Sequence, residues 1–162
     1  MKLELKSIKY SAFASEETHC YQANLYVDGK LFAIVSNDGR GGPDLEDRHP
    51  KYEGSGTDFN AKLADIGAFF KTLPNIPSEY IADGLEQALD IWCGDRLEDW
   101  LVARELRAKM RTYFVIQVEG KAGIFTAKGL TTKTDGGWHK GHRILNHMPF
   151  DDALVIWKEQ AQ

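Results

Sequence analysis

Three glycines and a proline crowd into the five positions from Gly39 to Pro43, directly after an apolar run that predicts a strand. Glycine reaches backbone angles that other residues avoid and proline removes an amide donor, so the strand must end there in a defined loop. Successive N–H groups in a glycine turn can form a concave nest for an anion, and the Arg40 guanidinium suits phosphate or carboxylate. The stretch therefore predicts an anion site, with a purely structural turn as the alternative.

A second polar loop, 129–140, ends in a glycine pair followed by Trp138 and His139. An aromatic side chain at a loop tip can stack on a base or another planar ligand. Glu17 and His19 precede the second strand of a predicted meander. In a meander the start of one strand lies near the end of its hairpin partner, so both residues should approach the glycine-rich stretch that begins at Gly39. The predicted ligand-binding residues are Asn37, Asp38, Gly39, Arg40, Gly41, Gly42, His19, Trp138 and His139.

Catalytic and metal-binding motifs are absent from the sequence. The P-loop, G-x-G-x-x-G, G-x-S-x-G and H-E-x-x-H patterns do not occur, and the acidic run around Asp44 does not match an EF-hand. We therefore predict no catalytic residue, no metal and no cofactor. A metal-dependent hydrolase stays open as an alternative, and its candidate residues would be Glu17, His19, Asp38, His139 and His142.

The elements that must position these residues follow the order β-β-β-α-α-β-β-β-α. Alternating residues predict strands over 1–10, 20–27 and 30–36, with a bulge near Ser7 and a hairpin at Asp28-Gly29. A long loop is expected over 38–56, and a helix capped by Ser55 or Thr57 after it. A second helical pattern runs from Pro77 to Lys109, with a break or a weak point at Gly94-Asp95. These runs predict an α+β fold, a mostly antiparallel sheet with helices packed on one face.

Length, composition and charge limit the class of protein and the compartment to which this chain can belong. A chain of 162 residues with 43% hydrophobic and 27% charged residues fits one domain, 1–162. The net charge of -4 disfavours broad binding of nucleic acid, although a local basic patch remains compatible with it. Cys20 and Cys93 predict reduced, buried thiols. The alternating first ten residues do not resemble a signal peptide and no run reaches a membrane-spanning length, so we expect a cytoplasmic protein that does not contact membranes.

The segment from Ser15 to Lys30, with its LYVDGK ending, continues to the SNDGRGG motif that ends at Gly42. This opening and the ending from Ile144 to Leu154 resemble small uncharacterised proteins of bacteriophages and prophages. The resemblance implies a phage or prophage product in the bacterial host cytoplasm, where small accessory proteins often counter host defence.

The sequence therefore predicts a non-catalytic binding module for a small anionic, nucleotide-like ligand. An acidic inhibitor that binds a basic host protein is the alternative, because complementary charge would steer that encounter.

Overall fold

The computed structural model describes residues 1–118, 120, 122–128 and 141–160. The chain divides into two compact units, Met1–Leu97 (unit 1) and Glu98–Gln162 (unit 2). The single domain over 1–162 stays a prediction, and each unit is described by itself. Among the described residues no helix is both long and apolar enough to cross a membrane.

Unit 1 is built on a four-stranded antiparallel sheet whose strands follow the chain order. Its elements are β1 (Leu3–Tyr10), β2 (Tyr21–Val27), β3 (Lys30–Asn37), β4 (Leu45–Arg48), α1 (Gly56–Phe70) and the start of α2 (Leu89–Thr112), with a 3-10 turn at Ala12–Ala14.

The central strand β2 has one buried face, as its alternation predicts. Tyr21, Ala23, Leu25 and Val27 are at most 5% exposed, whereas Gln22 between them is exposed. Strand β3 presents Val35 opposite Ala23 on the same face. The period of two therefore places the sheet core where the sequence predicts it.

Both predicted irregularities of the meander are confirmed. The register between β1 and β2 shifts between Lys6 and Lys9, and Ser7 has φ 55°. Asp28 (φ 50°) and Gly29 (φ 79°) both have positive φ, the geometry of a type I′ hairpin turn.

The long loop predicted over 38–56 is wrong in part, because β4 lies within it. Leu45 pairs with Ser36 and Arg48 with Ala33, so the chain turns back after the glycine loop and adds a fourth strand. The sequence showed no apolar period here because β4 is an edge strand rich in charged residues, a composition that keeps sheet edges from pairing with other chains.

Helix α1 begins as predicted at a Ser55 cap. The Ser55 hydroxyl accepts from the Asp58 amide, and the Asp58 carboxylate accepts from the Ser55 amide, which completes a capping box. Phe59, Ile66 and Phe70 are buried, and the Phe59 ring stacks on Phe32 of β3 at a centroid distance of 4.7 Å. The predicted apolar stripe therefore packs on the sheet.

The helix predicted from Pro77 is wrong at its start. Ile76 and Leu85 exchange two backbone hydrogen bonds of 2.9 and 2.8 Å, so the chain doubles back over 76–85 instead of coiling. Gly84 sits at φ +75° within this turn, where a left-handed residue interrupts a helix. The apolar period over Ile81 and Leu85 is therefore not used, and both side chains are exposed.

The predicted break at Gly94-Asp95 is also wrong, because α2 continues through both residues. Leu97 and Leu106 on either side are almost fully buried. Burial of these two leucine side chains outweighs the cost of one glycine in a helix, which is about 1 kcal/mol.

Unit 2 contains a three-stranded antiparallel sheet in the order β6-β5-β7. Its elements are the remainder of α2, β5 (Phe114–Val118), β6 (Ile124–Ala127), β7 (His142–Ile144), a 3-10 turn at Leu145–His147 and α3 (Phe150–Gln160). Val115 of β5 joins Leu106, Ala153 and Trp157 of the helices in one buried cluster. Helix α3 begins directly after Pro149, a residue that suits the start of a helix because its missing amide hydrogen is not needed there.

The α+β class is confirmed, with helices and two antiparallel sheets. The sequence predicts one sheet, and the strands instead form two. Periodicity locates strands but carries no information on which strands pair, so the partition between sheets was not readable from it.

Gly94 offers a test of the continuous helix. A Cβ there would meet nothing within 4 Å, so Gly94→Ala should stabilise the protein by roughly 0.5–1 kcal/mol in urea unfolding. Gly67→Ala in α1, where a Cβ also meets nothing, is the matched control and should give a similar gain. A loss of stability for Gly94→Ala alone would mean that the helix bends at this residue.

Candidate functional site

The glycine loop, residues 38–43, connects β3 to β4. Gly39, Gly41 and Gly42 lie at φ +86°, +94° and +86°, so three of its residues occupy the left-handed region. An ideal Cβ on Gly39 would stand 2.0 Å from the Ala14 carbonyl oxygen. Position 39 therefore requires glycine for two reasons, its positive φ and the close approach of the 3-10 turn at Ala12–Ala14.

The amides of this loop are already engaged within the protein. Gly39 N–H donates to Asn37 Oδ1 (2.9 Å), Arg40 N–H to Asp38 Oδ1 (3.1 Å) and Gly41 N–H to Thr18 Oγ1 (3.2 Å). Side chains of this type commonly satisfy turn amides. An anion bound by these three amides would have to displace a hydrogen bond at each, so the geometry favours the structural role.

The polar segment before β2 reaches the loop, as the meander topology predicts. The amides of Glu16, Glu17 and Thr18 donate to the Gly39 carbonyl at 2.9, 2.9 and 3.3 Å. The Glu17 carboxylate lies beside Gly41, 2.6 Å from where a Cβ would stand. His19 instead packs its ring edge-on against Tyr10 at 5.6 Å.

Behind the loop, the side chain of Asn37 holds two strands together. Its Oδ1 accepts from Thr18 Oγ1 (2.6 Å) as well as from Gly39, and its Nδ2 donates to Gly42 O (3.2 Å) and Asp44 Oδ1 (3.1 Å). Asn37 is 8% exposed and pairs with Tyr21 across the ladder. The Tyr21 hydroxyl donates to the second Asp44 oxygen. Both oxygens of this carboxylate are therefore used.

Burial controls the protonation of this network. Desolvation raises the pKa of Asp44, against the hydrogen bonds from Tyr21 and Asn37 that lower it. Burial, reinforced by the charges of Asp44 and Asp90, also raises the pKa of Glu46. The pKa of Tyr21 is raised by burial and by Asp44, so its hydroxyl stays a donor.

Cys93 is fully buried, and burial together with the Asp44 charge raises the pKa of its thiol. A thiol held protonated is a poor nucleophile. The described residues contain no group of three or more His, Cys, Asp or Glu that could hold a metal ion.

Of the predicted ligand-binding residues, the structure brings together Asn37, Asp38, Gly39, Arg40, Gly41 and Gly42, with the Arg40 side chain exposed. Trp138 and His139 lie outside the described residues, so their assignment stays a prediction.

A second concave surface of unit 1 was not anticipated from the sequence. This lysine cavity has a volume of about 680 Å³, and its lining residues are Val27, Asp28, Lys30, Leu31, Phe32, Lys51, Tyr52, Glu53, Gly54 and Lys62. In the described part of the chain none of its three ammonium groups forms an ion pair.

The Tyr52 ring has a fixed place in this cavity. It packs edge-on against Phe32 (5.3 Å) and Phe59 (6.0 Å), and a Cβ on Gly54 would stand 2.5 Å from one of its ring carbons. The three lysines come from the start of β3, the segment after β4 and helix α1. Their convergence depends on the tertiary fold, so no local sequence pattern predicted this cavity.

No known protein family, curated protein or solved structure matches this chain.

A pair of glycine substitutions separates backbone angle from close contact in the loop. Gly42→Ala should cost about 1–2 kcal/mol, since φ is +86° but a Cβ would meet nothing within 4 Å. Gly39→Ala, at the same φ, adds the clash with Ala14 and should cost on the order of 3 kcal/mol or more. Equal losses in urea unfolding would contradict the close contact.

Glu46 generates a prediction for pH dependence. The folded pKa of Glu46 lies above its unfolded value, so this group binds protons more tightly in the folded state, and its own contribution to stability falls as pH rises from about 4 toward neutrality. Glu46→Gln should flatten this decline in urea unfolding from about pH 4 to 7. The exposed carboxylate variant Glu79→Gln serves as control, and an unchanged slope in Glu46→Gln would contradict the assignment.

Proposed function

We propose that this protein is a non-catalytic binding module for a small anionic, nucleotide-like ligand, and that the ligand occupies the lysine cavity. The observation that carries the proposal is a cavity lined by three lysines, which form no ion pair with any described residue, and by a packed aromatic ring. The cavity volume falls within the range of roughly 300–1,000 Å³ that small-molecule sites occupy.

The side chains around the cavity suit two different parts of a nucleotide, its phosphate and its base. Lys30, Lys51 and Lys62 supply mobile point charges, which bind phosphate without requiring one fixed orientation. Tyr52 is half-buried and held by neighbouring rings, so it offers an aromatic surface at little cost in side-chain entropy. Asp28 and Glu53 at the rim add acceptors that suit the hydroxyl or amino groups of a nucleotide better than a second phosphate.

The glycine loop is the competing location for the anion. The amides of Gly39, Arg40 and Gly41 donate to protein acceptors, so an anion at this loop would depend mainly on the single guanidinium of Arg40. The lysine cavity offers three cations and a concave surface, which is why we place the ligand there.

The proposed setting is that of a phage or prophage accessory protein that sequesters a nucleotide signal in the bacterial cytoplasm. The support for this setting is the resemblance carried by residues 15–42 and 144–154. The acidic inhibitor of a host protein stays an alternative prediction. It would draw on Phe13, which is 99% exposed on the turn beside Glu16 and Glu17.

The test is isothermal titration of the full chain with a panel of linear and cyclic nucleotides, preceded by thermal shift. A nucleotide at 100 times its Kd should add about 2.7 kcal/mol of stability. Lys51→Ala and Lys62→Ala should each weaken binding roughly tenfold or more, as expected for a charge-assisted hydrogen bond of about 1.5–3 kcal/mol. Lys9→Ala on β1, an exposed lysine far from the cavity lining, should leave affinity unchanged.

Arg40→Ala distinguishes the two locations. If it weakens binding and the lysine variants do not, the ligand occupies the glycine loop and the cavity assignment is wrong. If no nucleotide binds at millimolar concentration, the nucleotide-like ligand itself is excluded.

A further inference from the structure

Unit 2 has a basic face that the proposed function does not use. Trp100, Arg104, Arg107 and Arg111 follow one another on α2 at spacings of four, three and four, which places them on one side of the helix. Together with Met110 and Phe150 they line a groove of about 520 Å³. We call this surface the arginine groove.

Two of the guanidinium groups stack on aromatic rings. The Cζ of Arg107 lies 4.0 Å from the Phe150 ring centroid, and the Cζ of Arg104 lies 5.3 Å from that of Trp100. Stacking occupies the flat face of a guanidinium and leaves its N–H edges available. The rings therefore hold these side chains in place without satisfying their donors.

The charges of the groove are not neutralised within the described part of the chain, where no carboxylate pairs with Arg104, Arg107 or Arg111. Neighbouring lysines behave differently, since Lys109 pairs with Glu105 at 3.5 Å and Lys158 with Asp99. Like charges three and four residues apart destabilise a helix by about 0.2–0.5 kcal/mol each. An anionic partner would relieve that repulsion.

Charge is distributed unevenly along the chain. Of the 20 basic and 24 acidic residues, ten basic and eight acidic ones fall in 98–162, which leaves ten and sixteen in 1–97. The overall charge of -4 therefore conceals a basic second unit. The negative net charge of the whole chain therefore does not exclude nucleic acid from this surface.

We propose that the arginine groove binds the phosphate backbone of a single-stranded nucleic acid. From Trp100 to Arg111 the helix rises about 16 Å at ~1.5 Å per residue, long enough for more than one phosphate. Arg104, Arg107 and Arg111 contact successive phosphates, and the part of the half-buried Trp100 ring that Arg104 leaves exposed supplies a surface for an unpaired base. A duplex keeps its bases paired and cannot use that ring, which is why a single strand fits better.

The test is fluorescence anisotropy of the full chain with labelled single-stranded DNA and RNA of about 12 nucleotides, from about 20 to 200 mM salt. Three phosphate contacts predict a slope of log K against log salt near -2, because each contact contributes roughly -0.7 on a single strand. Arg104→Ala and Arg111→Ala should each reduce the slope by about 0.7. Arg143→Ala, an exposed arginine of β7 outside the groove, should leave it unchanged.

Arg107→Lys separates charge from stacking. It keeps the phosphate charge, so the salt slope should persist, while loss of the planar group over Phe150 should weaken binding roughly tenfold. Circular dichroism of each variant confirms that it folds.

The proposal is overturned if the folded protein does not bind the single strands at about 20 mM salt, or if the triple arginine-to-alanine variant binds as the wild type does. Tighter binding of a duplex of the same length, or equal binding of a polyglutamate peptide, would also overturn it. Because the lysine cavity is untouched by these variants, nucleotide titrations report on the proposed function independently.

Discussion

The hydrogen bonds of the Asn37 side chain are the interaction on which the organisation of unit 1 depends. This one buried amide contacts Thr18 before β2, Gly39 and Gly42 in the glycine loop, and Asp44, the residue that precedes the edge strand β4. Removing it would leave the buried Gly39 amide without its acceptor, and an unsatisfied buried group costs about 1–3 kcal/mol. The positions of β4 and of the loop therefore follow from a polar network and not from apolar packing, since Leu45 of β4 points to solvent.

That network explains why a loop so rich in glycine is structural. A sharp return from β3 to β4 needs left-handed residues, and the approach of Ala14 to Gly39 leaves no room for a side chain. Three of the amides that could bind an anion, those of Gly39, Arg40 and Gly41, instead donate to side chains that hold the turn. Function is then expected where charge is left uncompensated, and in the described part of the chain two concave surfaces meet that condition: the lysine cavity and the arginine groove.

The two surfaces differ in ways that suit different ligands. Lysine side chains around a cavity can adjust to one compact anion, whereas stacked guanidinium groups along a helix present donors at regular intervals. The half-buried carboxyl group of Asp44 belongs to neither surface. Desolvation raises the pKa of Asp44, and it also raises the pKa of the neighbouring Cys93 thiol, so this cluster offers no thiolate nucleophile.

The sequence by itself determined the local elements. Alternation defined the buried face of β2, Asp28-Gly29 defined the hairpin and Ser55 defined the start of α1, because each depends on neighbours within a few residues. Only the tertiary structure decided that β4 pairs with β3, that 76–85 doubles back, that α2 continues through Gly94 and that the strands form two sheets. It also decided which lysines meet around Tyr52, because they come from segments far apart in the chain. Local propensity is a small free energy for each residue, and long-range packing and hydrogen bonding outweigh it wherever the two disagree.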